Sequence, residues 1–231
     1  MSFIPRSIVL LSGGIDSATV AAIAKNMGYE LYALTIDYGQ RHKIEIDAAK
    51  KIAQHLEITK HIIMSIDLRL FGMSSLTSNL EVPKNVPIGQ IGQNIPNTYV
   101  PARNTIFLAL ALAYAESVAA SKIYIGISEV DYSGYPDCRP EFLQAFNTLT
   151  QMATKVGSEG HPISIEAPLM ALSKKETIVR GLALGVDYSL TFTCYDPTPE
   201  GKSCGHCESC QLRRHAFSEA GVADPAEYYK D

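Results

Sequence analysis

Leu11-Ser12-Gly13-Gly14-Ile15-Asp16-Ser17 follows an apolar run, Ser7-Ile8-Val9-Leu10, and opens an Ala-rich helical pattern from about Ala18 to Met27. A strand that turns through two glycines into a helix predicts a phosphate cradle. Glycines let backbone N–H groups approach an oxyanion closely. The helix start adds unpaired donors and the positive end of the dipole. Ser12 and Ser17 bring hydroxyls, and Ser12, Asp16 and Ser17 are natural cap residues. Neither G-x-x-x-x-G-K-[ST] nor G-x-G-x-x-G occurs in the chain, so the common nucleotide loops are excluded. The missing lysine also argues against ordinary γ-phosphoryl transfer.

Working outward, apolar runs alternate with helical patterns. Strands are predicted at Ile8–Leu11, Leu31–Ile36, His61–Ile66, Lys122–Ile127 and Ile163–Ala167. Helices are predicted at Ser17–Met27, Lys43–Leu56, Thr105–Ala119, Glu141–Val156 and Lys174–Leu184. This alternation predicts an α/β fold with a mostly parallel, doubly wound sheet. Ligands of such sheets sit at the carboxyl ends of the strands. The polar stretches fall there: Asp37-Tyr38-Gly39-Gln40-Arg41-His42 after the second strand, and Ser128 to Arg139 after the fourth. A long connection from about Asp67 to Asn104, rich in proline, reads as a lid or interface element.

The chain has 231 residues and a net charge of −4, from 20 basic and 24 acidic side chains. That suits one α/β domain with a small appendage. We expect residues 1–190 to form the nucleotide-binding and catalytic domain and 191–231 a four-cysteine segment. The absence of an eighteen-residue apolar run and of a separate secretory core predicts a soluble cytoplasmic protein. No polybasic stretch marks a nucleic-acid partner.

Four of five cysteines follow the spacing Cys194-x9-Cys204-x2-Cys207-x2-Cys210. Such clustering reads as metal ligation. Four thiolates close a tetrahedral Zn2+ site, leaving no position for chemistry. An iron–sulfur cluster is the rival, because spacing alone does not fix the metal. His206, between two ligands, is read as a neighbour of the site. Cys138 stands apart from the cluster.

S-G-G-x-D-S resembles the pyrophosphate loop of the ATP pyrophosphatase superfamily, which grips the β and γ phosphates and exposes the α-phosphorus. Joined to DYGQRH, Ile95 to Asn104, SGYPDCR, TCY and CGHCESC, it resembles the 7-cyano-7-deazaguanine synthase family from Leu11 to about Arg213. The resemblance implies that 7-carboxy-7-deazaguanine, ammonia and ATP give the 7-cyano product of queuosine biosynthesis through adenylated carboxylate and amide. It also implies bound zinc and a homodimer. Ala102 departs from the family's frequent glycine. The nucleotide segment is expected over Leu11, Ser12, Gly13, Gly14, Ile15, Asp16, Ser17, Ala18, Thr19, Val20 and Ala21, with Mg2+ offsetting the charge of Asp16 beside phosphate.

Candidate cations for the α-phosphoryl group are Arg41, Arg103 and Lys174. Arg103 is the strongest because it opens a helix, where a cation opposes the dipole. A guanine-like edge offers paired donors that a carboxylate accepts. Glu129, Asp131 and Asp137 lie on the right loop, with Tyr132 and Tyr135 as stacking candidates. Asp137 is alternatively a cap for the helix near Pro140. Two other functions remain open from the residues alone: a tRNA-modifying adenylating enzyme, and a non-catalytic nucleotide-binding module.

Overall fold

The computed structural model describes residues 4–128 and 134–230. Among these residues five strands pair in parallel throughout: β1 (Arg6–Leu10), β2 (Glu30–Asp37), β3 (Lys60–Ser65), β4 (Lys122–Tyr124) and β5 (Ser164–Glu166), in the order β3-β2-β1-β4-β5. The chain winds outward from β1 to β3, then returns across the sheet to β4. The order therefore reverses between β1 and β4, which opens a crevice at their carboxyl ends.

Among the described residues seven helices flank the sheet: α1 (Ile15–Asn26), α2 (Ile44–His55), α3 (Arg103–Ser117), α4 (Pro140–Ala153), the single turn α5 (Lys155–Ser158), α6 (Lys174–Ala183) and α7 (Glu208–Glu219). Successive strand residues point to opposite faces, and this splits the core. Val9, Leu11, Leu31 and Ala33 pack with α1, Ile178, Tyr188 and Phe217. Ile8, Leu10, Leu34 and Ile36 pack with Leu108, Ala111 and Phe146.

The apolar residues of α1 are buried almost all round, and its alanines make it thin enough for a middle position. A Cβ at Gly181 of α6 would strike the Tyr188 hydroxyl and meet Thr19 Oγ1 at 3.0 Å. Thr19 Oγ1 and Tyr188 Oη are hydrogen-bonded at 2.8 Å, so that crossing tolerates no side chain at 181.

The predicted strands and helices appear in place, with shifted ends. The expected helix Glu141–Val156 breaks at Thr154, which is extended at φ −123° and ψ 153°. Its hydroxyl donates to the Thr150 carbonyl and accepts from Gly157 N–H, ending one helix and capping the next turn. Helix α7 was not expected. Its inward positions are Cys210, Arg213, Ala216 and Phe217, at helical spacing but with two residues that do not read as apolar.

The long connection between β3 and α3 lies against the cysteine segment. Val82 packs among the four cysteines. Lys84 pairs with Asp196 at 2.8 Å, and Asn85 N–H donates to the His206 carbonyl at 2.8 Å.

Candidate active site

The loop leaving β1 is fixed by close contacts. Gly13 has φ +91°, and a Cβ there would strike the Glu45 carbonyl and sit 2.9 Å from Ala49 N. The loop therefore rests on the first turn of α2. On its other side, a Cβ at Gly126, beyond β4, would sit 2.9 Å from the Asp16 carbonyl carbon. Gly14 is the N-cap of α1 and gives no side-chain cap, so the first amides of the helix are left for an acceptor. Ser17 Oγ accepts from Ser12 N–H at 3.2 Å and lies 3.1 Å from Ser12 Oγ, drawing both hydroxyls to the helix mouth.

Behind the loop, Thr35 donates to the Leu11 carbonyl at 2.5 Å and contacts His61 Nε2 at 2.7 Å. The Thr35 proton goes to that carbonyl, so His61 is the donor to Thr35. Burial lowers the His61 pKa, with Lys50 adding to the effect. Neither residue carries a sequence signal beyond its strand.

The loop faces a cavity of about 200 Å3 at the carboxyl ends of the strands. Its wall takes Leu11, Ser12, Gly14, Ile15, Asp16 and Ser17 from the loop; Tyr38, Gln40 and Glu45 after β2; Arg103, Asn104 and Phe107 from α3; and Tyr135 and Cys138. Phe192, Thr193, Tyr195 and Ser209 close it from the C-terminal segment. Beyond Ser17 the chain turns inward. Ala18, Val20 and Ala21 belong to the core, and Thr19 bonds the Ile15 carbonyl and Tyr188.

Arg103 is the first residue of α3, as the sequence predicts. Its guanidinium carbon lies 5.9 Å from the Tyr38 ring centroid. Burial opposes its charge, but Tyr38, Tyr135, Tyr195 and Asp137 together more than offset that, and its pKa is raised. The turn into α3 requires a left-handed residue, Ala102 at φ 53°. Alanine there costs about 1 kcal/mol relative to glycine.

Lys174 opens α6, and its ammonium donates to both oxygens of Asp16 at 2.7 Å. This pair, with side chains 8% and 21% exposed, couples the starts of α1 and α6. The charge of Asp16 is thus offset by a lysine of the chain. Arg41 is exposed, donates to the Leu80 carbonyl at 3.3 Å and is absent from the cavity wall.

Asp137 is buried, and it caps α3 rather than the helix near Pro140. Its Oδ2 accepts from Asn104 N–H at 3.0 Å, while Asn104 Nδ2 donates to the Asp137 carbonyl at 3.0 Å. Helix α4 instead begins on Pro140 with no side-chain cap. Tyr135 is buried against Thr98, oxygen to oxygen at 2.9 Å, and against Tyr99. Glu129, Asp131 and Tyr132 lie outside the described residues. Burial, reinforced by Asp137, pushes Cys138 up to about 12, so it stays a thiol at neutral pH and is no nucleophile.

Glu45, which carries no sequence signal beyond its place in a helix start, lines the cavity from the first turn of α2. Burial pushes its carboxyl up to about 7, with Arg103 pulling the other way. Burial likewise pushes Tyr38 up to about 12.

The four cysteines of the C-terminal segment are buried, with all ligand atoms within 4.8 Å of one another. Zinc–sulfur bonds of about 2.3 Å would place tetrahedral sulfurs about 3.8 Å apart; Cys204 and Cys210 Sγ lie 4.0 Å apart. Backbone amides already point at the sulfurs. Cys204 Sγ accepts from His206 N–H and Cys207 N–H, Cys194 Sγ from Cys204 N–H, and Cys207 Sγ from Tyr195 N–H, at 3.2–3.5 Å. Hydrogen bonds from the other sulfurs hold Cys204 far below the ordinary thiol range. Such a set suits a soft divalent cation. The His206 ring is turned away, with Nδ1 3.0 Å from Asn85 Oδ1.

A parallel sheet whose first strand runs through a glycine loop onto a helix start, before a cavity walled by half-buried charged side chains, defines an α/β nucleotide-handling protein. The chain belongs to the family described as "Queuosine biosynthesis protein QueC", whose model matches residues 6–221. Among relatives, the 7-cyano-7-deazaguanine synthase of Paramagnetospirillum magneticum is 58% identical over 96% of this chain and 98% of its own. That of Desulfatibacillum aliphaticivorans is 55% identical over 96% of each. A 4-thiouridine synthetase solved with RNA and bound ATP shares the fold, with TM-score 0.52 and 17% identity over 97% of this chain and 47% of that one.

Proposed function

We propose that the chain converts 7-carboxy-7-deazaguanine, ammonia and ATP into 7-cyano-7-deazaguanine, the function of an ATP-dependent synthase in queuosine biosynthesis. The observation that carries this is the pairing of an open helix start at Gly14 with half-buried Arg103 across one cavity. A carboxylate is a poor electrophile, and its oxygen leaves only when activated. Ser12, Gly13, Gly14 and Ser17 hold the departing pyrophosphate on the amides and dipole of α1. Arg103 meets the charge that builds at the α-phosphoryl group, a fixed cation in a site partly withdrawn from water. Ammonia converts the acyl-adenylate to an amide. Adenylation of the amide oxygen and loss of AMP then give the nitrile, so one phosphate site serves both activations.

Asp16 would share a Mg2+ ion with phosphate oxygens, and that ion would neutralise phosphate charge. Asp137, Glu129 and Asp131 are the candidate readers of the purine edge, with Tyr135 as a stacking candidate. Arg41 would reach the site only by leaving Leu80. Cys194, Cys204, Cys207 and Cys210 would hold one structural Zn2+. Residues 1–190 serve as the catalytic domain and 191–231 as the zinc segment. The working form is a cytoplasmic homodimer without a direct nucleic-acid partner. No helix among the described residues is long and apolar enough to cross a membrane.

The test is a product assay with ammonia present or omitted. AMP, pyrophosphate and the nitrile are expected together; ADP, or AMP formed only with tRNA, would refute the reading. Arg103→Ala is expected to cut turnover by about 100-fold or more. Its melting temperature should move little, since the lost cation faces a cavity. Unchanged kinetics would remove Arg103 from the site.

A further inference from the structure

At neutral pH the nitrogen donor is mostly ammonium, which has no lone pair. Attack on an activated carboxyl carbon needs that proton removed, and further N–H protons must leave before the nitrile forms. A proton acceptor has to stand in the cavity.

Among the described residues, no histidine lines it, and its carboxylates are Asp16 and Glu45. Asp16 has both oxygens bound by Lys174. Tyr38 and Cys138 keep their protons up to about 12. Glu45 differs from all of these. No hydrogen bond contributes to its titration; only burial and the field of Arg103 do. Its backbone lies directly under Gly13, so the side chain starts beside the phosphate loop.

We propose that the Glu45 carboxylate is the proton acceptor for the nitrogen nucleophile. One N–H bond of ammonium breaks and an O–H bond forms on Glu45; the freed electron pair on nitrogen attacks the adenylated carboxyl carbon, the attached nitrogen gives up a second proton, and the C–O bond to AMP breaks as AMP leaves with its electron pair. The proton then passes to solvent, and the regenerated carboxylate takes the protons lost on the way from amide to nitrile. This rests on the nitrile-forming reading of the cavity. The groups that interact electrostatically with Glu45 are Arg103 from α3 and Tyr38 after β2; Asp16 from the loop, Tyr135, Cys138 and Tyr195 are the other titratable groups of the same cavity wall. A base that titrates near 7 is matched to neutral-pH work.

The experiment compares wild type with Glu45→Gln, following AMP and amide plus nitrile at fixed total ammonia from acid to alkaline pH. Wild-type kcat/KM for ammonia should rise with pH and level above about 7, where Glu45 is ionised. The variant should fall about 100-fold at neutral pH, then keep climbing with the free-base fraction and recover much of the loss. Hydroxylamine, already a free base at neutral pH, should trap the acyl-adenylate as hydroxamate at nearly the same rate in both proteins. Equal ammonia kinetics in the two proteins, or a variant that loses the same factor at every pH and with hydroxylamine, would overturn the role of Glu45. A wild type that forms neither AMP nor nitrile would instead overturn the reading beneath it.

Discussion

Replacing Cys207 by alanine is expected to release the metal, open the C-terminal segment and abolish activity. Structural zinc sites in small domains supply about 10–16 kcal/mol, against a whole-domain stability of about 5–15 kcal/mol. Losing a ligand here therefore removes a term comparable with the stability of the fold. The effect reaches catalysis because Phe192, Thr193, Tyr195 and Ser209 are cavity wall, and Phe192 N–H donates to the Gly13 carbonyl at 2.9 Å. Part of the segment has other anchors. Buried Arg213 pairs with Asp224 at 2.9 Å and donates to the Tyr188 carbonyl and Thr191 Oγ1, and Phe217 packs edge-on against Tyr188. Proteolysis should accordingly cut first between Asp196 and Ser203, with α7 released later. Elemental analysis of the wild type should find one zinc per chain, and a chelator should reproduce the alanine phenotype. Iron and labile sulfide would replace zinc with a cluster. A metal-free variant with full melting temperature and turnover would show the four sulfurs to be incidental.

Much of this organisation is legible before folding because it is local. The strand-turn-helix signature around Gly13 and Gly14 needs only seven residues. The cysteine spacing is arithmetic, and Arg103 stands out as a cation placed against a helix dipole. What escapes is set by contacts between distant segments. Glu45 reads as an ordinary acidic residue in a first helical turn; only the packing of Gly13 on its carbonyl brings it to the phosphate loop. Asp137 reads as a cap for its neighbour α4, yet the sharp turn into α3 brings Asn104 N–H to it first. Phe192 and Thr193 enter the wall because the chain returns to the loop before the cysteines begin. Helix α7 is masked by Cys210 and Arg213, which are buried against the other cysteines and against Asp224.

Lys174→Met should be the most damaging single change in the cavity's supporting shell. The ammonium contacts both Asp16 oxygens, and the lysine side chain is 8% exposed. Taking the cation away leaves a carboxylate facing protein with about a fifth of its surface in water. Breaking a buried pair this way costs about 3–5 kcal/mol; the residual exposure of Asp16 puts the expectation at the lower end. The dipole of α1 still favours a negative Asp16, but it does not supply the two hydrogen bonds lost. The companion variant Asp16→Asn removes the carboxylate of the pair, and the double variant removes both charges. Denaturant unfolding should find the double variant no less stable than Lys174→Met, because the uncompensated charge is gone. Activity should follow a different order. All three variants are expected to lose about 100-fold or more in AMP release, since the pair positions the start of α1 under the leaving pyrophosphate whatever the stability. If Lys174→Met unfolds at the wild-type midpoint, the pair is no brace. If it also keeps wild-type AMP release, the charge that supports the phosphate loop lies elsewhere.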